Sequence, residues 1–376
     1  MMGLVLGAGL AVIQAANVSA PADSWSCAYV AERLPRALAL RGEDAASAED
    51  TRAARDRLGL SQAVLTRASG LALARSMSAT RLVMIRCLDQ NSATTIEAQA
   101  FDTESPGAGA LIRASKPLSD LPALVDDLAR QLGSAGASTG SLFDSPSARA
   151  LARSGGALMR KTAAERAAGL RQALTEDSSS IDLRLSLVEA LIAARDWSAA
   201  IEASGEPRAK APPPLLLRRL KFLTAAALLE AGRYAEGRDV LEGLRIERET
   251  SAVLNNLGVA RFRLRDAEAS GSFERASFFV DHRQKDISFN RSLALIFEKK
   301  AEVALPAIDD ALRSDAQDVR TRLLRVWALR TLGRDAERVL EWDRLVAQAP
   351  SFASLGPPDL GRKLERIFFS ERSPSP

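Results

Sequence analysis

A repeat of helical segments constrains the fold of this chain more than any other feature of its sequence. Three similar segments begin at Ser251, Lys285 and Val319, and each start follows the previous one by 34 residues. Asn256 and Asn290 then fall on the same repeat position. A period of this length predicts that each repeat is one pair of helices, which packs mainly on the two neighbouring pairs.

Short motifs at fixed places in the repeats support the helix-pair interpretation. Asn255–Gly258 carries a glycine where the second helix of a pair must approach the first closely. Gly232 and Gly333 fall at turns between helices, and Pro350 ends a unit. Earlier starts near residues 147, 181 and 218 complete about six units over residues 147–352. These motifs resemble those of tetratricopeptide repeat proteins, and the resemblance implies an α-helical superhelix with a concave surface.

The first 133 residues have a different pattern, in which apolar runs of strand length alternate with helical periodicity. We expect strands at residues 10–19, 81–88, 94–103 and 110–115, and helices at residues 24–41, 48–58, 66–78 and 119–132. The order β-α-α-α-β-β-β-α predicts a small α/β domain at residues 1–133. The chain is therefore expected to be an α+β protein of two parts.

The segments around the repeats have their own signals. Residues 134–146 are rich in glycine, serine and alanine, which is the composition of a flexible linker. We therefore expect residues 147–376 to fold without the first domain. Residues 353–376 are expected to hold a helix that caps the last repeat, near residues 359–369, and a disordered tail. The apolar residues of this helix are Leu360, Leu364, Ile367 and Phe368.

The N-terminal part also carries a resemblance. Ala16–Ser19 followed by Trp25, the strand entry at Met77–Val83 and the closing helix at Ser119–Leu132 resemble the TolB amino-terminal-like domains that precede tetratricopeptide arrays in many bacterial proteins. This resemblance implies a bacterial protein of the periplasm or the cell envelope.

The first twenty residues allow two interpretations. Gly3–Ile13 has the length of the apolar part of a signal peptide, with Val18–Ala20 as a cleavage site. The alternative, which we favour, is that Leu10–Ser19 is a buried first strand, which leaves the cytoplasm open as the compartment. Export would allow Cys27 and Cys87 to form a disulfide bond. We favour two separately buried thiols, and both alternatives remain open at this point.

Composition argues against several classes of function. One histidine, His282, and two cysteines cannot supply the usual ligands of a zinc or iron–sulfur site. The net charge of +4 over 376 residues is a mild excess. The basic clusters Arg218–Lys221 and Arg261–Arg265 do not show aromatic interleaving of the kind that a single-strand binding surface requires. Gly7–Gly9 opens a dinucleotide fingerprint that fails at Val12. We expect no catalytic residues, cofactor, metal, nucleic-acid partner or transmembrane segment.

The concave surface of the repeats remains as the candidate site. In the register given by the resemblance, repeat positions two, five, six, nine and thirteen point inward. An amide there can hydrogen-bond a peptide backbone, an arginine can pair with a carboxylate, and a tryptophan can anchor an apolar side chain. The candidate binding residues at these positions are Asn255, Asn256, Arg263, Asn290, Arg320 and Trp327.

Two functional hypotheses follow from these residues. The first is a non-enzymatic scaffold or adaptor whose groove binds a protein or peptide. The alternative is a regulatory or sensory module, in which a small ligand binds the α/β domain and the repeats relay its state. Within the groove, the alternative to a binding role for Asn256 and Asn290 is that both amides support the repeat fold.

Overall fold

The computed structural model describes residues 10–14, 25–41, 45–46, 48–60, 65–77, 79–90, 93–105, 107–133, 148–205, 214–279 and 285–354. Within these ranges the chain forms two compact units, which divide between Ala227 and Leu228. The predicted linker at residues 134–146 and the predicted capping helix near residues 359–369 lie outside the described residues. The predicted domain boundaries therefore remain predictions.

A four-stranded sheet organises the N-terminal part of the first unit. Its strand order is β1-β2-β3-β4, with β1 parallel to β2 and the other neighbours antiparallel. Val83, Ile85 and Cys87 of β2 face one core, and Leu82, directly before Val83, faces a second core on the other side of the sheet. The strands are β1 (Leu10–Gln14), β2 (Arg81–Gln90), β3 (Ala93–Asp102) and β4 (Ala108–Pro117).

Helices pack on both faces of this sheet, because β2 buries side chains on each face. One core joins the sheet to α1 and α4, and the other joins it to α2 and α3. The predicted element order is confirmed, and the strand expected at Leu10–Ser19 is present over Leu10–Gln14. The helices are α1 (Trp25–Leu40), α2 (Ala48–Arg57), α3 (Arg67–Ser76) and α4 (Leu121–Leu132).

A disulfide bond links α1 to the sheet. Cys27 and Cys87 are both fully buried, and their Cα atoms lie 5.8 Å apart. This separation is in the normal range for a disulfide. The expectation of two separate thiols is therefore wrong, because the packing of α1 on β2 brings the two side chains together.

Among the described residues, six helix pairs follow the sheet. Five predicted starts agree with the observed first helices to within one residue, whereas the third first helix begins at Pro214 rather than near residue 218. Proline suits this place because the first turn of a helix needs no N–H donor there. The pairs are α5 (Ala148–Leu158) with α6 (Ala163–Glu176), α7 (Ile181–Ala193) with α8 (Trp197–Ala203), α9 (Pro214–Glu230) with α10 (Tyr234–Glu247), α11 (Ser251–Arg263) with α12 (Ala269–Ser277), α13 (Lys285–Phe297) with α14 (Ala301–Ser314), and α15 (Val319–Thr331) with α16 (Asp335–Gln348).

The turn within a pair and the close approach of its helices follow the predicted glycine pattern. Gly232 and Gly333 have φ values of +80° and +68° at this turn. A Cβ atom at Gly258 of α11 would lie 2.6 Å from the ring of Phe273 in α12, so any side chain there would push the pair apart. Pro350 begins a short 3-10 turn directly after α16 and so ends the last pair.

Candidate functional site

The three predicted asparagines lie together on α11 and α13, and all three are fully buried. The Asn255 Nδ2 atom donates a hydrogen bond to the Asn256 Oδ1 atom at 3.1 Å, and the Asn290 Nδ2 atom donates to the Asn255 Oδ1 atom at 3.0 Å. The amides thus connect the first helices of two successive repeats. This arrangement is the one expected if they support the fold, and a binding role for them stays a prediction.

An aromatic chain crosses the same repeats. The ring of Phe297 meets Phe262 at a centroid distance of 5.2 Å and Trp327 at 4.9 Å, both in edge-to-face geometry. Such pairs stabilise packing by about 0.5–1.5 kcal/mol beyond the buried area. Phe262 is buried, whereas Phe297 and Trp327 are only partly buried. The aromatic chain therefore presents two partly exposed rings, on α13 and α15.

The two predicted arginines also contact aromatic rings. The Arg320 guanidinium lies 5.1 Å from the centre of the Phe289 ring and 3.6 Å from the Asp286 carboxylate. The Arg263 guanidinium lies 5.5 Å from the centre of the Tyr234 ring. The Arg320 side chain is 47% exposed and Arg263 is partly buried, so both cations are accessible to solvent.

The inward positions of the second repeat are arranged differently. Asp182, Ser186 and Glu189 occupy positions two, six and nine of that repeat, on α7. Arg33 of α1 donates to Asp182, and Arg36 of α1 donates to Asp182, to the Ser186 Oγ atom at 3.0 Å and to the Glu189 Oε2 atom at 2.7 Å. The chain therefore fills this part of the repeat surface with side chains of its own helix α1.

The ion pairs of α7 continue into a larger network, which we call the arginine network. Arg52 of α2 pairs with Glu32 at 2.7 Å and with Glu49 at 2.8 Å. The Arg166 Nε atom of α6 donates to the Glu49 Oε1 atom at 2.8 Å. Its members are Arg33, Arg36, Arg52, Arg166, Arg219, Glu32, Glu49, Asp182 and Glu189. It ties α1 and α2 to α6, α7 and α9.

Burial and charge act against each other in this network. Burial works to raise the pKa of Glu189, but the charges of Arg36 and Arg219 outweigh it and hold the pKa below its usual value. At Glu49 burial prevails over Arg52 and Arg166, and the pKa is raised. Burial also opposes the charge of Arg36, yet Glu189, Asp182 and Glu32 raise its pKa.

Sequence reasoning missed the arginine network, although two signals for it exist. Arg33 and Arg36 lie three residues apart on α1, beside the buried residues Leu34 and Leu38. Asp182 and Glu189 lie at inward repeat positions of a helix that is otherwise nearly all apolar. Charges at buried positions on two helices indicate that those helices meet, because an unpaired buried charge is costly.

Two further searches concern only the described part of the chain. Among those residues, no cluster of histidine, cysteine, aspartate and glutamate has the geometry to hold a metal ion. None of the described helices is both long enough and apolar enough to span a bilayer. His282 lies outside the described residues.

Comparison with known proteins gives weak similarities. No protein-family model and no curated protein matches the sequence. Among solved structures, the chain is similar to YrrB, described as a TPR protein with an unusual peptide-binding site, with 14% identity, a TM-score of 0.40 and coverage of 49% of this chain and 94% of YrrB. PilF of Pseudomonas aeruginosa has 20% identity and a TM-score of 0.40, and the match covers 50% of this chain and 85% of PilF. The Cut9–Hcn1 structure of the APC/C has 14% identity and a TM-score of 0.45, and the match covers 57% of this chain and 42% of that one. These three descriptions name no TolB-like domain, so the resemblance of the N-terminal part to such domains is not confirmed.

Proposed function

We propose that this protein is a non-enzymatic scaffold that binds a peptide segment of a partner protein on the first helices α11, α13 and α15. The aromatic chain Phe262–Phe297–Trp327 carries this proposal, because it continues through three repeats and leaves two rings partly exposed. Partly exposed aromatic side chains on a rigid surface are the typical anchors of protein–protein contacts.

The side chains beside the aromatic chain indicate the chemistry of the partner. Arg320 is held against Phe289 and near Asp286, so its guanidinium is oriented but still accessible. Arg263 is held in a similar way against Tyr234. A cation fixed on a ring can pair with a carboxylate at a reduced entropic cost. We therefore propose a partner segment that combines apolar and acidic side chains.

A photo-crosslinking experiment tests where the partner binds. The full-length chain would carry p-benzoylphenylalanine in place of Trp327 on α15 or, as a matched control, in place of Leu340, which is exposed on α16. We expect the partner to crosslink at the first position and not at the second. Crosslinking at position 340 alone would overturn the proposed surface.

A truncation then tests the anchor itself. Removing the ring with Trp327→Ala should weaken partner binding by about 2 kcal/mol, or roughly thirtyfold, as expected for a binding hot spot. Val303→Ala on α14 removes an exposed apolar side chain outside the aromatic chain and should leave affinity unchanged. Circular dichroism would establish that both variants remain folded, and equal affinities would contradict the proposal.

We also propose that the protein works in an oxidising compartment, in keeping with the TolB-like resemblance of its N-terminal part. The buried Cys27–Cys87 bond supports this, because structural disulfides persist mainly outside the reducing cytoplasm. Alkylation of thiols during cell lysis, followed by peptide mass spectrometry, should recover the two cysteines as a linked peptide. Recovery of both as alkylated thiols would contradict this location.

The alternative hypothesis, a sensory module with a small ligand, has one specific observation in its favour. A cavity of about 460 Å³ lies in the first unit and is lined by charged side chains from four helices and the residues next to them. This volume is in the usual range of small-molecule sites.

A further inference from the structure

The cavity of the first unit lies beside the arginine network. Its lining includes Glu49 and Arg52 from α2, Arg166 from α6, Glu189 from α7 and Arg219 from α9. The cavity is thus bounded on one side by a helix of the α/β part and on the other sides by helices of the first three pairs. None of these lining residues belongs to α11, α13 or α15, which carry the proposed binding surface.

The carboxylates of this cavity already have partners. Glu49 accepts hydrogen bonds from Arg166 and pairs with Arg52. Glu189 accepts from Arg36 at 2.7 Å and from Arg219 at 3.3 Å. Asp50 and Asp56, which also line the cavity, interact with other residues as well. The acidic side chains therefore offer little free capacity to hold a cationic ligand.

Two cations at the cavity keep unused hydrogen-bond donors. Within the described part of the chain, Arg219 donates one hydrogen bond, to Glu189, although a guanidinium has five N–H groups. Lys161 is exposed and has no ion-pair partner within 4 Å among the described residues. Thr162, the N-cap of α6, also borders the cavity, and its backbone N–H already donates to the Glu165 Oε2 atom at 3.1 Å.

The remaining wall of the cavity is apolar. Ile192 and Ala193 of α7 and Leu223 of α9 line it. A ligand that fits this site needs an anionic group for the free donors and a hydrocarbon part for this wall. We propose that the cavity binds a small organic carboxylate, whose carboxylate pairs with Arg219 and Lys161 and whose carbon chain lies against Ile192 and Leu223.

Calorimetric titration of the full-length protein tests this proposal. The probes are butyrate, hexanoate, octanoate and adipate, with hexanol, hexylamine and inorganic phosphate as comparison compounds. We expect saturable binding of at least one carboxylate and a rise in the melting temperature with its concentration. Hexanol and hexylamine share the carbon chain without the negative charge, so neither should bind.

Two variants locate the binding site. Lys161→Gln removes an exposed charge without touching the arginine network, and Arg219→Lys keeps a cation for Glu189 while removing the guanidinium fork. Each should raise the Kd for the carboxylate at least tenfold, about 1.4 kcal/mol. Lys221→Gln is the matched control, because Lys221 is an exposed lysine of α9 that does not line the cavity. Its Kd should equal that of the wild type.

Several results would overturn the proposal. One is that no carboxylate binds at concentrations up to about 10 mM, where the binding free energy would be weaker than about −4 kcal/mol. A second is that hexylamine binds as tightly as hexanoate, or that phosphate binds more tightly than every carboxylate. A third is that both variants keep the affinity of the wild type. The Trp327→Ala variant should bind the carboxylate normally. The failure of this site and the failure of the proposed docking surface are therefore distinguishable.

Discussion

The second and fifth repeats carry an aspartate at the same repeat position, yet the two side chains have opposite surroundings. Asp182 is fully buried between Arg33 and Arg36 of α1. Asp286 is 41% exposed and lies 3.6 Å from Arg320. The two aspartates lie at the same place on the first helix of their repeats. Their neighbours differ, because α1 contacts the inward side of α7 and excludes water from its ion pairs.

The same repeat position can thus hold a buried charge that joins two helices or a charge that is exposed to solvent. In the first unit the inward charges are used up in joining α1 and α2 to the repeats. On α11, α13 and α15 the inward positions hold buried amides and partly exposed rings and cations. The surface open to a partner is therefore to be sought in the later repeats, and the earlier ones are bound to the chain's own N-terminal part.

Deleting the α/β part should have the largest effect on this difference. A chain that begins at residue 148 loses α1, leaves Asp182 and Glu189 without Arg36, and exposes core residues of α5 and α7. The composition of the linker predicted that the repeats fold alone, but we now expect α5–α8 to unfold at a lower urea concentration than in the full chain. Circular dichroism during urea titration measures this, and an unchanged first transition would contradict it.

Substitution of the two aspartates gives the next largest contrast. Asp182→Ala leaves two buried arginines without their shared carboxylate and should lower the free energy of unfolding by about 3–5 kcal/mol. Asp286→Ala removes one of the two carboxylates that pair with the solvent-exposed Arg320, since Asp318 also lies 3.4 Å from its guanidinium, and should cost at most about 1 kcal/mol. Urea unfolding of both variants measures the two changes. Equal losses would mean that α1 does not determine the difference between the repeats.

The sequence predicts the repeats well because their signals are local. Gly258 and Gly333 reflect contacts or turns within one helix pair, and the repeat period then gives the starts of the other first helices except α9, which begins at Pro214 rather than near residue 218. The pairing of Arg36 with Glu189 joins residues 153 positions apart, so the charges at buried positions of each helix do not identify the helix that they meet. The pairing of Cys27 with Cys87 fails for the same reason, since it depends on how α1 lies on the sheet. The predicted asparagines were placed on the correct helices, but the sequence could not show that they are buried.

A single asparagine substitution tests the later repeats at an intermediate scale. Asn290→Ala removes the donor to the Asn255 Oδ1 atom, which is buried, and should cost about 1–3 kcal/mol of stability. If Asn290 supports the fold, the melting temperature falls and partner binding changes only in proportion to unfolding. Melting temperature and partner affinity are measured on one preparation. A fully stable variant with weakened binding would instead indicate that Asn290 takes part in binding.

The smallest effect is expected where the two regions agree, at the turn within each helix pair. Arg195 in the second repeat and Lys299 in the fifth have φ values of +60° and +62°, in the left-handed region that Gly232 and Gly333 occupy in other repeats. This conformation costs a residue with a Cβ atom about 1–2 kcal/mol, whereas ordering glycine costs about 0.5–1 kcal/mol in additional chain entropy. The balance should favour glycine by roughly 0.5–1 kcal/mol at both sites.

Arg195→Gly and Lys299→Gly should therefore raise the free energy of unfolding by similar amounts, although the first helices of their repeats have different surroundings. The reverse change, Gly333→Ala, is the matched control. A Cβ atom at Gly333 would meet nothing within 4 Å, so its expected loss of stability comes from the backbone conformation alone. Urea unfolding of the three variants measures the differences. A gain at Lys299 without one at Arg195 would show that the contacts of the first unit extend to its turns, and the contrast between the two regions would then include the backbone.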